Sequence, residues 1–265
     1  MENPSLIAII PARGGSKRLP RKNILPFFGH PMLAYTVTAA LSSQLFRKVV
    51  VSTDDPMIGS IAQWYGAEWL HRPPELATDK AELVQVGLHL LNVLDKEGIN
   101  ADFLCQLMPN CPLRRSEDIA KHYRIFRDNK RSFQISTVDY RGVYPHWSLK
   151  INEEGKGDWL FGSKYLVRSQ NLGQVYCPTG AIWWVSVDDF KKQKAFYGNP
   201  FHLALIDSNR GIDIDRADEL DLAEILVRGL WQRDGVSPLE PIVKESFIED
   251  SSNGNSSRNC LCYSG

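Results

Sequence analysis

Two kinds of segment alternate along this chain, and the alternation limits its fold more than any other feature. Short apolar runs rich in β-branched residues at 5–10, 49–52, 103–107 and 133–138 have the length and composition of buried strands. Between them lie stretches of helical character at 32–41, 56–65, 81–94 and 116–127. Asp55 before Pro56 is a helix start, with the acid as N-cap and proline in the first turn, and Gly66 stops that helix. Ser116 is expected to cap the fourth helix, with Glu117 and Asp118 favourable in its first turn. A further short strand is expected at 68–70. This order implies an α/β fold, a mostly parallel, doubly wound sheet covered by helices on both faces. Ligands of such sheets bind beyond the carboxyl ends of the strands, so the loop after the first strand is the first place to look.

The second half reads differently. Residues 140–174 are rich in aromatics, glycine and charge and break the alternation; they form an excursion from the sheet, read as a β-rich arm that contacts a second subunit. Strand character returns at 181–187, a short strand or turn is expected at 211–215, and a closing helix at 217–230. From Val236 the periodicity fades, and residues 249–265 have the polar Gly/Ser/Asn composition of a disordered tail.

The loop after the first strand carries Arg13, Lys17, Arg18, Arg21 and Lys22, five cations in ten residues with no acid among them. Gly14 and Gly15 are expected to let the backbone turn and aim successive N–H groups into one concavity, a nest for anions. Main-chain donors with Arg and Lys suit a polyphosphate. The loop matches neither the Walker A pattern nor G-x-G-x-x-G. A solvated basic loop is the plainer alternative.

Asp213 and Asp215 alternate with Ile212 and Ile214. On an extended segment, side chains two apart share a face, so both acids would point into the crevice while the isoleucines enter the core. Paired carboxylates repel unless a cation lies between them, and Mg²⁺ suits oxygen ligands while keeping positions for water and phosphate. Alternatively, one of the pair caps the helix that follows.

The chain has 31 basic and 31 acidic residues, so its formal net charge is zero. A dedicated nucleic-acid surface normally shows a basic excess, and none is expected as partner. No apolar run approaches a membrane span, and the first residues read as a strand rather than an export signal; a cytoplasmic setting is expected. The cysteines, 105, 111, 177, 260 and 262, are odd in number and include no C-x-x-C pair, which argues against a disulfide framework or a zinc site.

The run from Ile10 to Asn23, I-P-A-R-G-G-S-K-R-L-P-R-K-N, resembles the signature of the acylneuraminate cytidylyltransferases, the CMP-nonulosonate synthetases. The resemblance continues through Val51 to Asp54, Arg72 to Asp79, Pro109 to Arg114, Gly180 to Ile182 and Ile212 to Asp215, in order over about 5–230. It implies a Rossmann-like nucleotidyltransferase fold, homodimers, Mg²⁺, and transfer of CMP from CTP to an acidic nine-carbon 2-keto sugar. Residues 1–235 would be the cytidylyltransferase domain, with 140–175 as dimerisation arm and 236–265 as a flexible tail. Carried over, Arg13 and Lys22 would contact the triphosphate with Ala12, Gly14, Gly15 and Ser16, and Asn23 the ribose. Arg72 and the Ala81 backbone would meet cytosine, Arg168 and Gln170 the sugar, and Asp213 and Asp215 the metal.

Three departures from the family pattern stand out. Met108 stands where the family often has a sugar-binding Gln, Cys177 where many have an Arg, and Leu83 where a Ser lies near the ribose. They suggest an acceptor other than N-acetylneuraminate, such as a legionaminic- or pseudaminic-type acid. A KDO-type acceptor, a glycosyltransferase and a non-catalytic CTP-binding homologue are the rival readings.

Overall fold

The computed structural model describes residues 4–242. In chain order the elements are β1 (Leu6–Pro11), β2 (Pro26–Phe27), β3 (His30–Pro31), α1 (Met32–Ser42), β4 (Lys48–Thr53), α2 (Pro56–Trp64), β5 (Glu68–His71) and α3 (Leu83–Lys96). Then come β6 (Phe103–Gln106), α4 (Ser116–Asp128), β7 (Phe133–Asp139), β8 (Leu149–Ile151), β9 (Gly157–Trp159), β10 (Tyr176–Ser186), α5 (Val187–Gln193), β11 (His202–Leu205) and α6 (Ala217–Asp234).

The main sheet has the order β5-β4-β1-β6-β10-β7-β11. β1 lies parallel to β4 and β6, β4 to β5, and β7 to β11; only β10 runs against its neighbours. The strand face alternation is visible in β1. Ala8 and Ile10 join one cluster with Leu33 and Val37 of α1, Ile58 of α2 and Phe126 of α4. Ile7 and Ile9 join another with Val86 and Leu90 of α3 and Phe190 of α5. Helices therefore cover both faces, as the doubly wound reading requires. A third cluster joins Phe27, Met32, Leu113, Ile214, Val227 and Leu239, and so fixes α6 and the segment before it against the start of α1.

Local signals explain most boundaries. The Asp55 carboxylate accepts from the N–H groups of Met57 (2.8 Å) and Ile58 (3.3 Å), and Pro56 opens α2. Gly66, at φ 93°, ends the turn that follows.

Other boundaries differ from the sequence reading. Ser116 is the first residue of α4 and Arg115 the N-cap; Asp118 accepts from the Arg115 N–H at 3.0 Å. The Ser116 N–H and hydroxyl instead donate to Glu240, both at 3.0 Å. That contact and the burial of Leu239 tie down the stretch just after 236, which the fading periodicity had suggested was loose. The composition-based tail at 249–265, with Cys260 and Cys262, lies outside the described residues. The strand expected at 181–187 begins at Tyr176, and Val187 already opens α5. Residues 211–215 form no strand. The excursion contains the β8–β9 hairpin, paired with itself rather than with the main sheet.

Candidate active site

A cavity of about 500 Å³ opens at the carboxyl ends of β1, β5 and β6. It is walled by the loop after β1, the segment between β5 and α3, the turn after β6, part of β10, and Asp213 with Asp215. The basic loop and the acidic pair meet there. Lys22 Nζ lies 2.5 Å from Asp215 Oδ1, and Arg18 lies 2.5 Å from Asp215 Oδ2. Ile214, between the two acids, is fully buried, so the two-residue spacing places both carboxylates on the cavity side without a regular strand.

A second carboxylate gathers two more loop cations. Asp79 pairs with Arg13 at 2.9 Å and with Lys17. Arg13 also donates to the Thr78 carbonyl at 3.2 Å. Four cations of the loop are thus held by two acids on opposite walls. The Lys17 contact, then Arg13, keeps the Asp79 carboxyl below its ordinary pKa.

The glycines act otherwise than expected. The Gly14 N–H is bound to Asp54 at 3.0 Å, so it is not free for an anion. Neither Gly14 nor Gly15 has a left-handed backbone; in this loop Arg21 does, at φ 54°. Gly14 is needed for close approach instead, because a Cβ there would lie 3.0 Å from Asp55 Cβ, whereas one on Gly15 would meet nothing. Ser16 lines the cavity, and Ala12 is buried at the end of β1 with its N–H on the Ser52 carbonyl.

Asn23 and Arg72 line the cavity. Asn23 donates to the Arg13 carbonyl at 3.0 Å. Arg72 is 3% exposed and is held by the Ser52 hydroxyl (3.2 Å) and carbonyl (2.6 Å). Burial lowers its pKa to about 10, which leaves it charged at neutral pH. Ala81 borders the cavity, with its N–H on the Thr78 carbonyl at 3.2 Å. Leu83 is on the wall where a serine was the family expectation.

Met108 also lines the cavity, and Gly180 makes room for it: a Cβ on Gly180 would lie 2.6 Å from Met108 Cγ. The Met108 carbonyl is fixed from behind by Arg114, fully buried, which donates to it at 3.3 Å and to the Ala181 carbonyl at 2.8 Å. Arg168 and Gln170 do not join them. Both are exposed, at the short 3₁₀ turn Ser169–Asn171 of the excursion, and neither borders this chain's cavity, because the excursion is a separate hairpin outside the main sheet.

The two acids differ. Burial is the main cause that raises the Asp213 carboxyl; it accepts from Cys111 Sγ at 2.6 Å and from the Gly180 N–H at 3.1 Å. Partial burial also acts to raise Asp215, but Lys22 and Arg18 outweigh it and hold that carboxyl below its ordinary value. Asn110 donates to Asp215 Oδ1 at 3.3 Å, and its own Oδ1 is buried without a hydrogen-bond partner. The sequence marks neither Asn110 nor Cys111 as a site residue, because their neighbourhood with the aspartates depends on tertiary contact. Among the described residues no cluster of three or more His, Cys, Asp or Glu could enclose a metal. Two carboxylates on the cavity side fit Mg²⁺, which takes few protein oxygens and completes its shell with water and phosphate.

A mostly parallel α/β sheet with a cationic loop facing an acidic pair is a nucleotidyltransferase arrangement. Comparison with known proteins sharpens it. The cytidylyltransferase family model matches residues 7–146. The chain is 34% identical over 218 residues to the N-acylneuraminate cytidylyltransferase of Escherichia coli O18:K1:H7, covering 82% of this chain and 51% of that protein. It is 31% identical to the pseudaminic acid cytidylyltransferase of Campylobacter jejuni serotype O:2, covering 84% of this chain and 96% of the relative. It is 32% identical to the CMP-N,N'-diacetyllegionaminic acid synthase of Legionella pneumophila, covering 84% and 96%. Thus it spans about half of the E. coli protein and nearly all of the other two. Among solved structures, a CMP:2-keto-3-deoxy-manno-octonic acid synthetase complexed with CTP superposes with TM-score 0.64 at 19% identity, covering 85% of this chain and 99% of that one. The chain belongs to the cytidylyltransferase family.

Proposed function

We propose that this protein transfers CMP from CTP to the anomeric hydroxyl of an acidic nine-carbon 2-keto sugar, releasing pyrophosphate. The observation that carries the reading is the meeting of Lys22 and Arg18 with Asp215 inside one cavity. Cations on a loop and carboxylates opposite are what a triphosphate and its metal require. The names of the relatives, which span neuraminic, pseudaminic and legionaminic acids, support the acceptor class. Met108 on the cavity wall favours an acceptor of the latter two kinds over N-acetylneuraminate.

In this reading CTP displaces the carboxylates from the loop. Arg13, Lys17, Arg18 and Lys22 turn from Asp79 and Asp215 to the phosphates, and Lys22 meets the charge that develops on departing pyrophosphate. Arg72 faces the base and Asn23 the ribose. The anomeric oxygen attacks the α-phosphorus as the bond to the β-phosphate oxygen breaks. The proton of that hydroxyl passes to a neighbouring carboxylate that is not holding the metal. Asp213 and Asp215 would hold Mg²⁺, which when bound offsets phosphate charge. Arg168 pairs with the acceptor carboxylate in a homodimer, from the arm of the second copy. A cytoplasmic setting suits a reaction that consumes CTP.

The test is pyrophosphate release from each nucleoside triphosphate against a panel of eight- and nine-carbon 2-keto acid sugars. Release with CTP and a nine-carbon acid is expected; silence across the panel overturns the reading. Lys22→Ala should lower turnover at least about 100-fold, the scale of one lost transition-state donor. An unchanged rate removes Lys22 from the chemistry.

A further inference from the structure

We infer that Asn110 and Cys111 are positioning residues, each setting the direction of one carboxylate of the site. The inference rests on the reading of Asp213 and Asp215 as the metal-holding pair. No strand ladder orders residues 211–215, so some other contact must fix where the two acids point. The dipeptide after β6 supplies it. The Ile214 N–H donates to the Asn110 carbonyl at 2.9 Å, which locks the two segments in register. On one side of that lock the Cys111 thiol donates to Asp213 Oδ1 at 2.6 Å; on the other the Asn110 amide donates to Asp215 Oδ1 at 3.3 Å. Consecutive residues of one segment thus serve alternate residues of the other.

The chemistry of these donors separates them from the cationic partners of the pair. Lys22 and Arg18 cancel the charge of Asp215 while they hold it. A thiol and a carboxamide orient a carboxylate and leave its charge available to a cation, the part that hydrogen-bonded neighbours of metal ligands play. When phosphate draws Lys22 and Arg18 away, Asn110 stays as the neutral donor on Asp215. Cys111 is fully buried and Asn110 is 4% exposed, so both donors are held in place by the surrounding protein.

The experiment titrates Mn²⁺, as a paramagnetic stand-in for Mg²⁺, into the full chain with CTP present and follows free Mn²⁺ by electron paramagnetic resonance. Cys111→Val and Asn110→Leu, which keep approximate shape and remove the donors, should weaken Mn²⁺ binding by about tenfold or more, the scale for partners of metal ligands. The Mg²⁺ concentration for half-maximal pyrophosphate release should rise in parallel, with metal-free CTP affinity unchanged. Cys111→Ser, whose hydroxyl donates as the thiol does, should restore both. Unaltered Mn²⁺ affinity in folded Cys111→Val and Asn110→Leu overturns the inference and leaves the proposed reaction standing. If both donor-free variants lose their circular dichroism while Cys111→Ser keeps wild-type stability and metal affinity, the two side chains serve folding and the inference also fails. Absence of Mn²⁺ binding by the wild-type chain overturns this inference and the metal assignment together.

Discussion

Asp213 costs the fold something that Asp215 does not. Its carboxyl is pushed up chiefly by burial, so the folded chain holds that proton more tightly than the unfolded chain. Above the folded pKa the charge opposes folding; as pH falls through it, the penalty disappears. Asp215 has the reverse sign: Lys22 and Arg18 hold it low, and it contributes stability that is lost as pH falls through its depressed pKa. Asp213→Asn should therefore unfold at an equal or higher temperature than wild type at pH 7, with pyrophosphate release strongly reduced. The amide can keep both contacts, since its oxygen accepts from Gly180 N–H and its nitrogen can donate to the Cys111 sulfur once the thiol rotates. The wild-type chain should gain on the variant as pH is lowered from 7 toward the carboxylate range. Thermal melts across that range check the sign; a wild-type advantage that grows instead toward pH 7 would show that Asp213 is not penalised by burial.

At the scale of elements, legibility followed the strength of the local signal. Asp55-Pro56 fixed the start of α2 because capping chemistry lies within four residues. β1 was readable because all six of its residues are buried. The helix α5 was missed because it is seven residues long and its buried side chains are only Val187 and Phe190. β11 was missed because it is an edge strand whose Leu203 and Leu205 remain exposed, so no buried run marks it. In the site, the Arg18 and Lys22 pairing with Asp215 joins positions almost two hundred residues apart, and motif order could suggest that meeting but not its partners. The cap of α4 failed for a similar reason. Ser116 looked like an N-cap, but its N–H and hydroxyl are taken by Glu240, beyond α6. Glu240→Ala removes both bonds and a carboxylate from the N-terminus of α4, which should cost about 1–3 kcal/mol. A midpoint lower by several degrees, with the KM for CTP unchanged, is the expected result. An unchanged midpoint would make the segment after α6 dispensable to α4.

Among the described residues, the excursion carries apolar side chains that its own core does not cover. Ile151 is 80% exposed and Leu149 60%, on the β8–β9 hairpin, and Val143, Leu160 and Leu166 are exposed nearby in sequence. Exposed apolar side chains gathered on one segment suit an association site. Arg168 is on the same excursion and away from its own cavity, and in the proposed reaction the acidic acceptor needs a cation beyond those that the phosphates would draw. Docking of the arms of two copies would resolve both facts, since a two-fold axis makes each arm serve the other copy's site. The consequence is complementation. Arg168→Ala and Asp215→Asn should each be nearly inactive alone. When mixed in equal amounts and allowed to exchange subunits, half the dimers are hybrids, and in each hybrid one site carries both defects and the other none. About a quarter of wild-type turnover should return, by the counting that two-fold symmetry imposes. Ile151→Lys should lower the mass seen by light scattering to that of one chain and abolish the recovery. Turnover that does not return in a mixture proven to contain hybrids places Arg168 in service of its own cavity.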